Sequence, residues 1–166
     1  MVNVRLVLLS ALLCAVMPLP ALADGGGGGD GVKTDVRAPQ KSVDPDYTAG
    51  EKAIRNGSYA GAIKLFEAVV ARDASNADAY NWLGYATRKN GDPARSIPIY
   101  QKALSINPEH RGAHEYIGEA YLQLNDVAKA REHLVRLDKL CFFSCEEYRD
   151  LKKAVEAYEK KNGKKQ

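Results

Sequence analysis

The chain has 166 residues, 45% hydrophobic and 27% charged, with a formal net charge of +3. These values suit one globular domain and lack the strong basic field of a nucleic-acid binder, so no nucleic-acid partner is expected. The basic run at Lys160, Lys161, Lys164 and Lys165 reads as a solvated end, with 163–166 as a basic tail.

In chain order, residues 1–23 read as a cleaved signal peptide. Arg5 and the amino terminus give a positive start, and "LVLLSALLCAVM" is the apolar stretch. Pro18 and Pro20 close it, and Ala21, Leu22 and Ala23 form a small-x-small cleavage pattern. The apolar run falls short of the roughly 20 residues a membrane span needs, so no stable membrane anchor is expected after cleavage. Leu13 is not the small residue that lipidation at Cys14 would want before the cysteine. Cleavage after Ala23 implies a periplasmic or secreted protein. It leaves Cys141 and Cys145 in a compartment that permits disulfides. Residues 24–42, "DGGGGGDGVKTDVRAPQKS", have no aromatic residue and no apolar periodicity, and read as a flexible glycine-rich linker.

From residue 43 the chain repeats. Gly50, Gly84 and Gly118 stand 34 residues apart, and the same shift superposes Gly57, Gly91 and Asn125. It also superposes Ala62, Ser96 and Ala130; Phe66, Tyr100 and Leu134; and Val69, Ala103 and Leu137. The copies run 43–76, 77–110 and 111–142, and each predicts two helices joined by a turn. In the middle copy Tyr80, Leu83 and Thr87 share one helical face. Asp92 caps a second helix whose first position is Pro93, and Asp44 followed by Pro45 opens the first copy in the same way. Glycine is expected where the two helices of a pair approach most closely. Pro98 falls inside a predicted helix. It implies a kink, with a late start capped by Ser96 as the alternative.

The middle copy resembles the tetratricopeptide repeat through Tyr80, Leu83, Gly84, Thr87, Ser96, Tyr100, Ala103, Leu104 and Pro108. The resemblance implies an all-α, right-handed α-solenoid of three helix–turn–helix repeats, with a C-terminal capping helix over 143–162. In a fourth register Cys145 is position 1, Tyr148, Leu151 and Val155 take core positions, and Lys152 replaces the glycine. Ser144 and Glu147 suggest a capping box at the start of that helix. Cys141 and Cys145 then lie at the two ends of a tight turn, where a disulfide would pin the capping helix and Phe142 and Phe143 would pack beneath the turn.

Thioredoxin-type redox pairs have two intervening residues in a strand–helix fold, whereas three separate Cys141 and Cys145 here. A thiol-disulfide or metal-handling protein built on these cysteines is the rival reading. His110 and His114 share a helical face, but His114 stands at an aromatic core position and His133 on another helix, so core or cap roles are expected. No metal site, cofactor or catalytic residue is predicted.

In the family, fixed positions of each first helix line a concave groove. Carried over, they point to Tyr47, Glu51 and Arg55; to Asn81, Tyr85, Arg88 and Lys89; and to Glu115, Glu119 and Gln123. Chaperone-binding members hold a terminal carboxylate with basic and amide groups there, and Glu51, Glu115 and Glu119 replace that clamp. A basic edge of Arg55, Arg88 and Lys89 would face an acidic edge of Glu115 and Glu119. The function expected is a non-catalytic scaffold or adaptor in the bacterial cell envelope, gripping a peptide or helix of another protein.

Overall fold

The computed structural model describes residues 44–163. The signal segment (1–23), the linker (24–42), residue 43 and the last three tail residues lie outside them. Seven helices follow in order: α1 (Pro45–Arg55), α2 (Tyr59–Arg72), α3 (Ala77–Lys89), α4 (Pro93–Ile106), α5 (Arg111–Gln123), α6 (Val127–Leu140) and α7 (Glu146–Asn162). The described residues contain no strand, and each helix packs on its predecessor, giving an all-α helical-repeat solenoid. Three antiparallel hairpins stack, and α7 lies on α5 and α6 where a fourth hairpin would begin. No helix among them is long and apolar enough to cross a membrane.

Local chemistry sets the helix boundaries. Asp44 accepts from the amides of Asp46 (2.8 Å) and Tyr47 (3.3 Å) at the start of α1. Asn76 caps α3 through the Ala79 amide (2.9 Å), Asp92 caps α4 through Arg95 (2.9 Å) and Asp126 caps α6 through Lys129 (3.1 Å). The turns inside the hairpins share one backbone solution: Gly57, Gly91 and Asn125 have φ of 71°, 98° and 64°. Asparagine takes the left-handed region more readily than most residues, which is why it can replace glycine in the third copy.

The repeat glycines sit under side chains. A Cβ on Gly50 would lie 2.7 Å from the Phe66 ring and one on Gly84 2.6 Å from Tyr100, each on the second helix of its own hairpin. Gly118 differs. Leu134 of its own hairpin is too small to cover it, and Leu151 of α7 takes the place, 2.6 Å from a built Cβ. Leu151 and Val155 are buried in one cluster with Tyr100, Ile117, Ala120, Tyr121 and Leu137. Burying a leucine contributes about 1.5–3 kcal/mol, so α7 seals a face that would otherwise meet water. A second cluster (Ala62, Phe66, Val69, Ala79, Leu83, Ala86) holds the first hairpin to α3.

Three sequence expectations are corrected. α4 runs unbroken from Pro93, capped by Asp92, while the Ser96 hydroxyl donates back to the Pro93 carbonyl at 2.8 Å, so the late start does not occur. Pro98 is exposed on α4, and the Ala94 carbonyl that loses its amide partner is also exposed, where water can serve it. The capping box at α7 does not form. Cys145 is the N-cap without a side-chain bond, and Ser144, at φ 54°, is turned away and offers its carbonyl to Arg149 Nη1 at 2.9 Å. Phe142 and Phe143 do not pack beneath the turn. They stand 91% and 88% exposed, edge to face with ring centres 4.7 Å apart, because the five-residue link leaves no core within reach. The Cys141 and Cys145 sulfurs stand at bonding distance with Cα atoms 5.4 Å apart, within the range a disulfide takes.

The histidines serve as structure. His110 caps α5, its Nδ1 accepting from the Ala113 amide at 3.2 Å. His114 is buried, and its Nε2 lies 3.0 Å from the Pro108 carbonyl. That carbonyl requires the proton on Nε2, so His114 Nδ1 accepts from His133 Nδ1 at 2.9 Å. Burial lowers the pKa of both rings, that of His133 to about 4 with His114 beside it.

Candidate functional site

The first helices α1, α3, α5 and α7 succeed one another along one face of the array. The ten residues expected in its groove have different surroundings. Tyr47 is half-buried and meets Phe66 edge to face at 5.5 Å, so it is largely part of the core, while Glu51 and Arg55 lie further along α1. Tyr85 is the hub of an aromatic belt: Tyr59 lies 6.4 Å away, Trp82 5.7 Å and Tyr116 4.9 Å.

The two charged edges are corrected by the geometry. Arg88 is no free basic edge. Its side chain is 4% exposed, and Nη2 meets Glu119 Oε2 at 2.6 Å, so the two charges expected to face a ligand neutralise each other. The guanidinium lies beside both the Tyr85 and Tyr116 rings, 5.5 and 5.6 Å from their centres, with the Tyr100 hydroxyl 3.5 Å from Nε. Beside this pair, Arg88, Lys89, Glu119, Leu122, Gln123 and Ala154 line a shallow hollow of about 320 Å³. Lys89 stays exposed, its Nζ over the Tyr85 ring at 5.8 Å.

Glu115, the other half of the expected acidic edge, turns instead into a separate hollow between α3, α5 and α7. It holds about 240 Å³ and is lined by Asn81, Trp82, Gly112, Glu115, Tyr116, Glu146, Glu147 and Asp150. Four of the eight carry carboxyl groups and none is basic. At its rim the Arg111 Nε lies 3.7 Å from Glu147 Oε1. Glu115 is 8% exposed, and among the described residues nothing donates a hydrogen bond to its carboxyl. Burial first, then the charges of Glu119, Asp150 and Glu147, raise its pKa to about 8, against a smaller opposing pull from Arg88. Burial, followed by the charge of Glu115, also raises that of the Tyr116 phenol. Asn81 is 5% exposed, and its Oδ1 is buried without a hydrogen-bond partner.

Sequence reasoning found Asn81 and Glu115 but not the rest of this hollow. Trp82, Tyr116 and Asp150 occupy one further position of the same 34-residue register, and Glu146 is the α7 counterpart of Gly112. The register exposes these residues only where it is followed past the groove positions, to the neighbouring one and on into α7.

Two tetratricopeptide-repeat family profiles match residues 47–109 and 87–155, together well over half of the chain. Tetratricopeptide repeat protein 1 of Schizosaccharomyces pombe is 31% identical over 91 residues, covering 51% of this chain but only 9% of that protein. Among solved structures, the type III secretion translocator chaperone SycD of Yersinia enterocolitica superposes with a TM-score of 0.64 at 20% identity. It covers 71% of this chain and 83% of its own. A further structure of SycD holds a peptide of the translocator YopD. The first repeat domain of Spaghetti (RPAP3), bound to an HSP90 peptide, has a TM-score of 0.61 at 20% identity and covers 68% and 89% of the two chains. The register of glycines, the stacked hairpins and both profile matches agree: this chain belongs to the tetratricopeptide-repeat family.

Proposed function

We propose that this chain is a non-catalytic adaptor of the bacterial cell envelope, exported by its N-terminal signal, and that it holds a peptide or helix of a partner protein along the face of α1, α3, α5 and α7. The observation that carries this reading is the half-buried belt of Tyr59, Trp82, Tyr85 and Tyr116, which ends in a hollow rich in carboxyl groups. Aromatic area grips a chain at low entropic cost, and buried polar groups beside it supply selectivity. The partner peptides held by SycD and by the Spaghetti domain support protein binding as the general role of this architecture. In an oxidising compartment Cys141 and Cys145 would be bridged, fixing the turn from which α7 leaves α6.

Crosslinking and pull-down of the tagged chain from intact cells tests this reading. Wild type would be compared with Asn81→Ala/Tyr85→Ala and with Cys141→Ser/Cys145→Ser. A partner lost with the groove variant and kept by the cysteine variant is the expected result. Partners trapped as mixed disulfides, and lost only with the cysteine variant, would overturn it in favour of thiol chemistry.

A further inference from the structure

The hollow between α3, α5 and α7 has a more specific chemistry than a general peptide groove. Its volume of about 240 Å³ is below the roughly 300–1,000 Å³ usual for free small-molecule sites, and suits one inserted side chain. Glu115, Glu147 and Asp150 surround it with carboxyl groups, and no basic side chain is among its lining. Independently of those carboxyls, Asn81 presents a buried Oδ1 with no partner, 5% exposed as a residue, on the wall of the same hollow. An unpaired buried amide oxygen is destabilising, a cost that a donor arriving with a ligand would remove. Gly112 keeps this wall open: a Cβ there would lie 3.3 Å from Asn81 Nδ2. Trp82 and Tyr116 supply aromatic area for the methylene stem of a long side chain and ring faces for a cation.

A metal ion fits this chemistry less well. Among the described residues, carboxyl, imidazole and thiol groups are nowhere gathered in the threes a metal ion would require. A hydrogen-bonding organic cation satisfies both the dispersed carboxyls and the amide oxygen.

We infer that this hollow is a specificity pocket of the groove and takes a lysine or arginine side chain from the bound protein segment, with Asn81 Oδ1 and the carboxyls of Glu115 and Asp150 as acceptors. The inference rests on the reading of this face as a peptide groove. Binding acts on Glu115 directly. The groups facing it are Glu119 on its own helix, Glu147 and Asp150 on α7, and Arg88 on α3. A cation placed among them favours the ionised carboxylate, so the pocket releases a proton as it fills.

The test is a random dodecapeptide display selection against the full-length chain, run in parallel against Glu115→Gln/Asp150→Asn. Binders are resynthesised with each basic residue replaced by norleucine. Affinities are read from the fluorescence of Trp82, the single tryptophan of the chain and part of the pocket wall. Wild-type binders should contain one lysine or arginine whose replacement weakens binding at least about ten-fold. That penalty should be absent in the Glu115→Gln/Asp150→Asn variant, with helicity by circular dichroism confirming that the variant is folded. The basic peptide should also gain about ten-fold in affinity between pH 6.5 and 8.5, as Glu115 no longer has to lose a proton, while the norleucine peptide does not. Binders lost with Asn81→Ala/Tyr85→Ala but indifferent to norleucine replacement would overturn the pocket and leave the groove standing. Failure to obtain any peptide that depends on Asn81 or Tyr85 would overturn the groove reading and the pocket with it.

Discussion

Replacing Glu115 by glutamine should make the folded protein more stable at alkaline pH, the reverse of what losing a surface charge usually does. The carboxyl is buried with a pKa of about 8, against an ordinary value of 4.5. The folded chain therefore keeps a proton there that the unfolded chain has already lost above pH 5. Stability from this group is complete below 4.5 and is lost as pH rises towards 8, at up to about 1.4 kcal/mol per pH unit. His133 acts in the opposite sense. Its pKa of about 4 makes the unfolded state the better proton binder, so stability falls as pH drops from 6.5 towards 4. The two windows overlap below pH 6.5 and separate above it, where Glu115 acts without the histidine. From pH 6.5 to 8 the wild type should lose about 2 kcal/mol relative to Glu115→Gln. Urea unfolding of both proteins at pH 5.5, 6.5, 7.5 and 8.5 measures this directly, because groups common to both cancel in the difference. Parallel curves for the two proteins above pH 6.5 would refute the argument and mean that Glu115 is ionised in the folded state.

Gly84→Ala should gain about 1 kcal/mol of helix propensity yet lose about 1–3 kcal/mol to overpacking, since the new methyl would meet the fully buried Tyr100 ring at 2.6 Å. Denaturant melts should show net destabilisation that shrinks when combined with Tyr100→Leu, the residue type that the third repeat carries at that position. Glu119→Gln strands the Arg88 charge, whose side chain is 4% exposed. The expected cost is about 2 kcal/mol, held below a fully buried pair because Glu119 is itself 28% exposed. The double variant with Arg88→Met should recover most of it in thermal melts. Phe142→Ser/Phe143→Ser should change stability by less than about 0.5 kcal/mol, because both rings are already in water. Cys141→Ser/Cys145→Ser should cost about 2 kcal/mol, the entropy of so short a closed loop. Free-thiol titration before and after reduction reports whether the wild-type pair is bridged.

What the sequence disclosed was whatever a single repeat fixes within itself. Gly57, Gly91 and Asn125 could be aligned in advance because one turn geometry recurs at each. Asp44 and Asp92 could be read as caps because each bonds amides within three residues. The misread features depend on the offset between successive hairpins, which no local pattern encodes. Arg88 and Glu119 were assigned to opposite edges, but they sit on adjacent first helices whose spacing brings them to 2.6 Å. His114 and His133, 19 residues apart on the two helices of one hairpin, meet at 2.9 Å through the packing of those helices, which no local pattern encodes either. Phe142 and Phe143 failed in the other direction. Apolar residues next to a cysteine pair suggested packing, but a link too short to fold back leaves them nothing to pack on.

The end of the array links its stability to its selectivity. Leu134 stands where the first two hairpins carry Phe66 and Tyr100, and it leaves Gly118 uncovered. α7 fills that space with Leu151, and among the described residues no second helix packs against it as α2, α4 and α6 do in the hairpins. Docking Leu151 on α5 also brings Glu147 and Asp150 opposite Glu115, a carboxyl surplus that basic residues of a further hairpin would be positioned to relieve. The cost appears as a raised pKa at Glu115 and an unpaired amide oxygen at Asn81, both on the face that the family uses for ligands. Strain of this kind persists when something in the working protein relieves it, and a cationic side chain meets both demands at once.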